Sequence, residues 1–217
     1  MRLKEVLQRK NPYLFRARGL ATPRELVHAV LDAYLSSQEE TLLGNFLEGL
    51  AIFICGHVYG GRKSCAEGID LELEKDGKRY LVAIKSGPNW GNSSQLKRMC
   101  DNFSAAARIY RQGRGALPVE CINGCCYGKQ SHKSEDKGNY RKLVGQRFWE
   151  FLSGEPDMYI KIIEPIGHDA RERNVAFRNQ LEIVLDQFVN EFRSDFCDSS
   201  NAILWERLIK LTSEGRD

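Results

Sequence analysis

Residues 69–85 read IDLELEKDGKRYLVAIK, and this stretch predicts a β-hairpin with an acid near its start and an amine at its end. Asp76-Gly77 is a strong signal for a two-residue turn, because both residues tolerate a positive φ. With these two residues as the loop, Asp70 faces Ala83 on the opposite strand. A shift of one residue would move every side chain to the other face, so this register decides which groups meet.

The two faces of the predicted hairpin differ in character, since side chains alternate along each strand. One face looks like core and carries Leu71, Leu73, Tyr80, Val82 and Ile84. The other face gathers Asp70, Glu72, Glu74, Leu81, Ala83 and Lys85. Lys85 becomes a diagonal neighbour of Asp70, within reach of a shared ligand. An amphipathic pair with a solvated charged face would show the same alternation, and the hairpin alone leaves that interpretation open.

The loop after the hairpin adds a second signal. Residues 85–95 read KSGPNWGNSSQ, in which Trp90 stands among Gly, Pro, Asn and Ser. A tryptophan is unusual in a loop of this composition, and loops on a rigid scaffold often carry function. A hydrophobic plug is the structural alternative for Trp90.

From these residues the chain resembles the PD-(D/E)XK nucleases, in which an Asp on one strand precedes a (D/E)-x-K tripeptide on the next. Asp70 matches the first acid and Lys85 matches the lysine. The stretches IKSGPNWGNSSQ and GNYRKLVGQRFWEFLSG resemble the type II restriction endonucleases of the PmeII-like family, from about Asn11 to Trp205. The resemblance implies an α/β (α+β) fold of the restriction-endonuclease type, with a central mixed β-sheet flanked by helices and a helical C-terminal part.

Ala83 departs from the superfamily pattern, which places Glu or Asp there. One explanation is that the carboxylate has migrated to another element, with Glu48 as the first candidate and Glu72 as the second. The other explanation is an engineered Glu→Ala change at this position. Glu48 has a structural alternative of its own as an ordinary charged residue on an amphipathic helix.

The resemblance implies sequence-specific hydrolysis of phosphodiester bonds in double-stranded DNA with Mg²⁺, which Mn²⁺ is expected to replace. Asp70, Glu48 and the backbone carbonyl of Ile84 would hold the metal, because Mg²⁺ prefers oxygen ligands. Lys85 would orient or deprotonate the attacking water, completing a catalytic set of Asp70, Lys85 and Glu48. A palindromic site would favour a symmetric homodimer. Two alternatives are a catalytically impaired DNA-binding module of the same fold and a structure-specific or repair nuclease.

Two loops are predicted to contact DNA, one after the hairpin and one over residues 128–142. The second loop is expected to be flexible, with basic groups for phosphates and amides for base edges. A solvated surface loop is the alternative. The predicted DNA contacts are Asn89, Trp90, Asn92, Ser94, Gln95, Lys129, Gln130, Lys133, Asn139 and Arg141.

Composition sets limits on these interpretations. A chain of 217 residues with 42% hydrophobic content is long and apolar enough for one domain with a real core. We expect a catalytic core over about 40–130 and a helical C-terminal part over about 143–217. A net charge of +3 is only mildly basic, so DNA binding would depend on how charge is distributed. No run of about 18 apolar residues and no apolar leader are evident, which predicts a cytoplasmic protein without a membrane span.

The seven cysteines are expected to be reduced and mostly buried. A zinc site is one interpretation of Cys121, Cys125, Cys126 and the nearby His132. Their spacing lacks paired C-x₂-C knuckles, so inert thiols are favoured.

Helical periodicity flanks the predicted sheet. The first helix begins with Thr22 as cap and Pro23 in its first turn, and Ser93 or Ser94 is expected to cap the helix after the hairpin. The first helix has apolar positions at helical spacing through Tyr34. Further helices are predicted over about 40–54, 93–111, 146–154, 169–196 and 203–211, with a further strand over 117–127.

Overall fold

The computed structural model describes residues 1–112, 116–167 and 170–215. Its helices are α1 Leu3–Gln8, α2 Pro12–Ala17, α3 Pro23–Tyr59, α4 Ser93–Tyr110, α5 Gln146–Ser153, α6 Met158–Lys161, α7 Ile163–Gly167, α8 Ala170–Phe196 and α9 Trp205–Ser213. Its strands are β1 Arg62–Lys63, β2 Leu71–Lys75, β3 Lys78–Lys85, β4 Val119–Cys125 and β5 Arg141–Val144, and a 3₁₀ turn covers His132–Ser134.

The chain forms two compact units, and α3 contributes residues to both. One unit contains residues up to Thr41 together with the C-terminal helices α8 and α9. Its core is helical and includes Leu26, Val30, Phe188 and Phe192. The other unit, Leu42–Gly167, contains all five described strands. The expectation of a single domain stays a prediction.

The sheet is mixed and follows the order β1-β2-β3-β4-β5. The pairs β1–β2 and β2–β3 are antiparallel, whereas β3–β4 and β4–β5 are parallel. The predicted hairpin register is confirmed, since Leu73 pairs with Tyr80. Asp76 and Gly77 form the turn with φ of 51° and 70°, the positive values that this residue pair permits.

Helices cover both faces of the sheet. On one face α3 and α5 enclose a core of strand residues and aromatic side chains, which includes Leu71, Val82, Ile122 and Trp149. On the other face α4 packs Met99 and Phe103 against Leu81 and Ala83. The prediction of a central mixed sheet flanked by helices is therefore confirmed. The alternative of a fully solvated charged face on the hairpin is wrong, because α4 covers its middle.

The predicted break between two N-terminal helices is absent, and α3 is one helix of 37 residues. The junction Ser36-Ser37-Gln38 contains neither Pro nor Gly. The Ser37 hydroxyl donates to the Ala33 carbonyl (3.0 Å), and the Thr41 hydroxyl donates to the Ser37 carbonyl (2.9 Å). These bonds within the helix satisfy hydroxyls that would otherwise compete with it.

An 18-residue window of α3 has a mean hydropathy of 1.5, so by length and composition alone this helix is apolar enough to cross a membrane. This is weak evidence, because core helices and leader sequences meet the same criterion. The expectation that the chain lacks a membrane-spanning segment stays a prediction.

The cap of α4 differs from the predicted Ser93 or Ser94. Asn92 is the N-cap: its side-chain oxygen accepts from the Gln95 backbone N–H, and the Gln95 side-chain oxygen accepts from the Asn92 N–H, both at 3.0 Å. This reciprocal capping box satisfies two backbone donors at the start of the helix. Two strands, β1 and β5, were not predicted, because they are only two and four residues long.

We expect Asn92→Ala to lower the free energy of unfolding by about 1 kcal/mol, because the capping box is lost. Asn89→Ala is the matched control: Asn89 is an exposed amide in the same loop, and its removal should change stability by less than about 0.5 kcal/mol. Urea denaturation followed by circular dichroism measures both. Equal losses in the two variants would show that the capping box does not stabilise α4.

Candidate active site

A β-bulge marks the start of β2. The Asp70 N–H donates to the Val82 carbonyl (2.9 Å), although Val82 is already paired with Leu71. Two successive residues of one strand thus oppose one residue of the other. Ile69 accordingly packs with Ala83 on the α4 face, whereas Leu71 lies in the core on the opposite face. The predicted regular alternation therefore stops at Leu71, and Asp70 is redirected.

The carboxylate of Asp70 turns toward the end of β3. Its Oδ2 atom accepts a hydrogen bond from the backbone N–H of Ile84 (2.7 Å) and lies 3.9 Å from Nζ of Lys85. The two side chains are 23% and 30% exposed, so solvent and ligands reach both. The predicted meeting of Asp70 and Lys85 is observed, through the bulge rather than through a regular diagonal.

The backbone of Ile84 offers an oxygen on the same side. The Ile84 N–H points to Asp70, whereas the Lys85 carbonyl accepts from the Cys126 N–H on the other edge of β3. The N–H and C=O of one strand residue point to the same edge. The Ile84 carbonyl is therefore directed toward the edge of β3 on which Asp70 lies.

Trp90 orients the ammonium group of Lys85. The Lys85 Nζ atom lies 5.2 Å from the centre of the Trp90 ring, in the range of a cation–π contact. Trp90 is half-buried and packs against the α4-side core. Trp90 therefore fills space beside the core, as the structural alternative predicts, and it also contacts Lys85. Its contact with DNA stays a prediction.

Asn123 is a polar residue that sequence reasoning missed. It is fully buried in β4, in register with Ala83, and its Nδ2 atom has no hydrogen-bond partner. Partners in a parallel pair carry neighbouring side chains on one face. This unpaired donor therefore lies beside the position at which the superfamily pattern places an acid. The sequence feature that could have identified Asn123 is a single Asn within the mostly apolar strand VECINGC.

Glu48 lies near the end of β4, where its charge, after burial and Cys125, contributes to the raised pKa of the Cys126 thiol. It lies on α3, 30% exposed, and its carboxylate is 3.6 Å from Nζ of Lys63. Helical spacing puts it at the edge of the stripe formed by Ala51 and Cys55, which faces the sheet. Within the described ranges, no group of three or more His, Cys, Asp or Glu side chains is arranged to hold a metal. A metal-binding or catalytic role for Glu48 stays a prediction.

Glu72, the other candidate acid, is engaged elsewhere. It is buried in β2, accepts a hydrogen bond from Nε of Arg62 (3.0 Å) and accepts another from the Tyr110 hydroxyl. The bond to Glu72, followed by burial, raises the pKa of Tyr110. These contacts indicate a structural role for Glu72.

The loop of residues 128–142 is folded on itself rather than extended. Its 3₁₀ turn is held by Gln130, whose Nε2 atom donates to the carbonyls of Ser134 (2.8 Å) and Lys142 (3.4 Å). Arg141 lies in β5 and pairs with Glu135 (3.3 Å). Gln130 and Arg141 thus stabilise the loop itself, which limits the DNA contacts predicted for them.

The remaining predicted DNA contacts differ in their surroundings. Asn92 and Gln95 use their side-chain oxygens in the capping box, which leaves their amide N–H groups available. Lys142, another basic residue of the second loop, donates to the Pro88 carbonyl (2.8 Å) and ties the two loops together. The freely exposed members of the predicted set are Asn89, Ser94, Lys129, Lys133 and Asn139. DNA contact by these residues stays a prediction.

The cysteines predicted to be buried lie in the core. Cys121 packs on the α4 side of the sheet and Cys126 on the opposite side, so these two thiols cannot share one metal. Burial raises the pKa of Cys121 and Cys125 to about 11 and that of Cys126 to about 12. The side chain of His132 lies outside the described residues.

We expect the buried thiols to resist alkylation in the folded protein at pH 8, where a pKa of about 11 leaves only about one thiol in a thousand ionised. The exposed Cys65 should react first and serves as the internal control. Iodoacetamide labelling mapped by mass spectrometry distinguishes the sites. Labelling of Cys121 or Cys126 at the rate of Cys65 would contradict the burial described here.

A family model for type II restriction endonuclease EcoO109I matches residues 1–174 of the 217-residue chain. The search of curated proteins gave no match. The mixed sheet flanked by helices agrees with the restriction-endonuclease-like fold. The narrower resemblance to PmeII-like enzymes and the wider one to PD-(D/E)XK nucleases stay predictions. Because the match covers most of the chain, this protein belongs to the type II restriction endonuclease EcoO109I family, whose members are nucleases that act on DNA.

Proposed function

We propose that this chain is a type II restriction endonuclease that hydrolyses phosphodiester bonds of double-stranded DNA at a specific sequence, with Mg²⁺ as cofactor. One observation carries the proposal: the Asp70 carboxylate, the Ile84 backbone and the Lys85 ammonium group converge at one end of β3. Type II restriction endonucleases generally use Mg²⁺.

The oxygens at this place suit Mg²⁺. Asp70 uses one oxygen for the Ile84 N–H, which leaves carboxylate lone pairs free, and the Ile84 carbonyl points to the same edge. Mg²⁺ is commonly held by one or two carboxylates together with waters and substrate phosphates. When bound, the metal lowers the pKa of a bound water and stabilises charge on the phosphate. Asp70 and the Ile84 carbonyl are therefore the proposed ligands, with Glu48 as a further candidate.

Lys85 supports hydrolysis through its charge and its position. Its ammonium group lies beside the carboxylate that would meet the scissile phosphate, so it offsets negative charge there. It also has donors with which to hold the attacking water. The contact with the Trp90 ring limits the conformations of the long lysine side chain. Trp90 is thus a positioning residue for Lys85.

DNA contact is assigned to the two loops that Lys142 joins near the site. The exposed Asn89, Lys129, Lys133 and Asn139 are available for phosphates and base edges. Cutting both strands of a symmetric sequence favours a homodimer with one site per strand. We also propose that the protein acts in the cytoplasm and that its two compact units work as one enzyme.

A catalytically impaired DNA-binding module of the same fold is the second candidate. Ala83 favours it, because this residue is buried and offers no oxygen at the position of the expected acid. This candidate and the nuclease differ in whether purified protein cuts DNA when Mg²⁺ is supplied.

Purified protein should cut unmethylated phage DNA into discrete fragments with Mg²⁺ or Mn²⁺, and EDTA should abolish cutting. Asp70→Asn and Lys85→Ala should each slow cleavage by roughly 10³-fold, because each removes charge from the reacting centre. Asp76→Asn is the matched control: it removes the same charge in the same hairpin, at a turn whose positive φ Asn tolerates. Cleavage that survives Asp70→Asn would exclude this site.

Ala83→Glu tests whether the site lacks its second acid. If Ala83 is the lesion, this variant should raise the Mg²⁺-dependent rate at least roughly tenfold, because a second carboxylate joins the metal ligands. If Glu48 already supplies that acid, Glu48→Gln should abolish cleavage and Ala83→Glu should add little. Single-turnover cleavage of a defined duplex measures both rates. An effect in neither variant would show that one carboxylate is sufficient.

A further inference from the structure

A short segment of the helical unit, which contains α1, α2, α8 and α9, carries positive charge and no negative charge. Residues 6–24 contain five basic side chains and neither Asp nor Glu. The C-terminal part of the same unit has the opposite balance, with ten Asp and Glu against seven Lys and Arg over residues 168–217. The positive charge of this unit is therefore concentrated around α2, which lies within the segment.

Some cations near the N-terminus are neutralised by neighbouring acids, and others are not. Arg2, Lys4 and Arg24 each form an ion pair with a carboxylate of the same unit. Among the residues that the structure describes, four basic side chains of the segment have no carboxylate partner: Arg9, Lys10, Arg16 and Arg18, here called the basic turn. Their charge is available to an anion from outside the chain.

The three guanidinium groups of the basic turn lie over aromatic rings. The distances from the guanidinium carbon to the ring centre are 5.9 Å for Arg9 and Tyr34, 5.2 Å for Arg16 and Trp205, and 5.7 Å for Arg18 and Phe15. Contacts of this kind attract the cation to the ring and limit its motion. A guanidinium that stacks on a ring still offers a rigid fork of N–H donors to a phosphate. The arginines are thus oriented before any ligand binds.

The outward side of α2 presents two of these arginines to solvent. Phe15 is buried in the core of the unit, whereas Tyr13 is 58% exposed and Arg16 and Arg18 are exposed as well. Tyr13 and Arg16 are three residues apart, so they are neighbours on the helix surface. Arg18 is the C-cap residue of α2. A helix of six residues is about 9 Å long, so charges at its two ends lie within about one Debye length at 0.1 M salt and reinforce one another.

Duplex DNA is the anion that best suits the basic turn. This chain belongs to a family of nucleases that act on DNA. Arginine binds phosphate oxygens through two parallel N–H bonds, and a tyrosine hydroxyl such as that of Tyr13 also contacts phosphates. An anionic membrane would suit the charge, but membrane binding strengthens with buried apolar area. Because α2 exposes only two large apolar side chains, Tyr13 and Leu14, the surface is a better match for a phosphate backbone.

We propose that the basic turn binds the phosphate backbone of duplex DNA, with Arg16 and Arg18 in contact with phosphates and Arg9 and Lys10 adding to the positive field. It is a second DNA-binding surface, separate in sequence from the loops after β3 and β4. Phosphate contacts carry no sequence information, so this surface raises the affinity for all duplexes alike. The inference rests on the proposed function only in taking duplex DNA as the ligand, and it requires neither bound metal nor cutting.

The test measures the salt dependence of DNA binding for the wild type and for Arg16→Gln/Arg18→Gln, here called the Gln variant. Fluorescence anisotropy of a labelled duplex of about 30 base pairs, in EDTA to prevent cutting, gives the dissociation constant between about 50 and 200 mM NaCl. Loss of two phosphate contacts should lower the slope of log affinity against log salt by about 1.8 and weaken binding at least roughly tenfold. Duplexes of unrelated sequence should show the same loss.

Lys4→Gln/Arg24→Gln is the matched control, because it removes two charges of the same unit that carboxylates already neutralise. Its salt slope should equal that of the wild type. Arg16→Lys/Arg18→Lys guards against misfolding as an explanation: it keeps both charges, so its slope should stay within about 0.5 of the wild-type value. Thermal melting followed by circular dichroism checks the fold of every variant. A slope that falls equally in the Lys and Gln variants would overturn the proposal.

Failure of this inference and failure of the proposed function are distinguishable. If the wild type cuts DNA but the Gln variant keeps the wild-type salt slope, the inference is overturned and the nuclease stands. If the Gln variant shows the expected loss but the wild type never cuts, the inference stands and the nuclease function fails. A wild type that binds no duplex would overturn both. Flotation of the wild type with phosphatidylglycerol vesicles, lost in the Gln variant while DNA binding is retained, would assign the basic turn to a membrane and overturn the inference.

Discussion

Strand β3 is the constraint on which the rest of the Leu42–Gly167 unit depends. It is hydrogen-bonded along both edges, to β2 and to β4, and it is buried on both faces. Alternate residues must therefore suit two different cores, Val82 on one side and Ala83 on the other. A strand held in this way cannot slide or rotate, so the groups at its end, Ile84 and Lys85, are placed with little freedom.

The bulge at Asp70 brings the carboxylate of this residue to the rigid end of β3. A regular strand would have set Asp70 beside Ala83, over the α4-side core. The additional bond from the Asp70 N–H to the Val82 carbonyl redirects the side chain to the end of the sheet, where its carboxylate accepts a hydrogen bond from the Ile84 N–H. The backbone donor fixes the orientation of the Asp70 carboxylate, and carboxylate oxygens are ligands that hard cations prefer. The hydrogen bond from the Ile84 N–H therefore joins the proposed metal ligand Asp70 directly to the buried strand β3.

Ala83 and Asn123 are neighbours on the adjacent strands β3 and β4. An alanine fills this position of β3 without strain, but it leaves the amide of Asn123 buried and unpaired. Unpaired buried donors are costly and uncommon. A carboxylate at position 83 is one partner that would satisfy the amide.

The sequence by itself determined the hairpin, its turn and its register, because Asp76-Gly77 and the alternation around it leave one consistent pairing. It also determined most helices, through their apolar spacing, and residues 84–95 and 138–154 indicated a type II restriction endonuclease, although the narrower PmeII-like resemblance stays a prediction. Only the tertiary structure decided the rest. The bulge at Asp70, the ring of Trp90 under Lys85 and the burial of Glu72 depend on what α4 and the neighbouring strands press against them. The pattern of neighbouring residues in the sequence does not predict such contacts, because they join residues far apart in the chain.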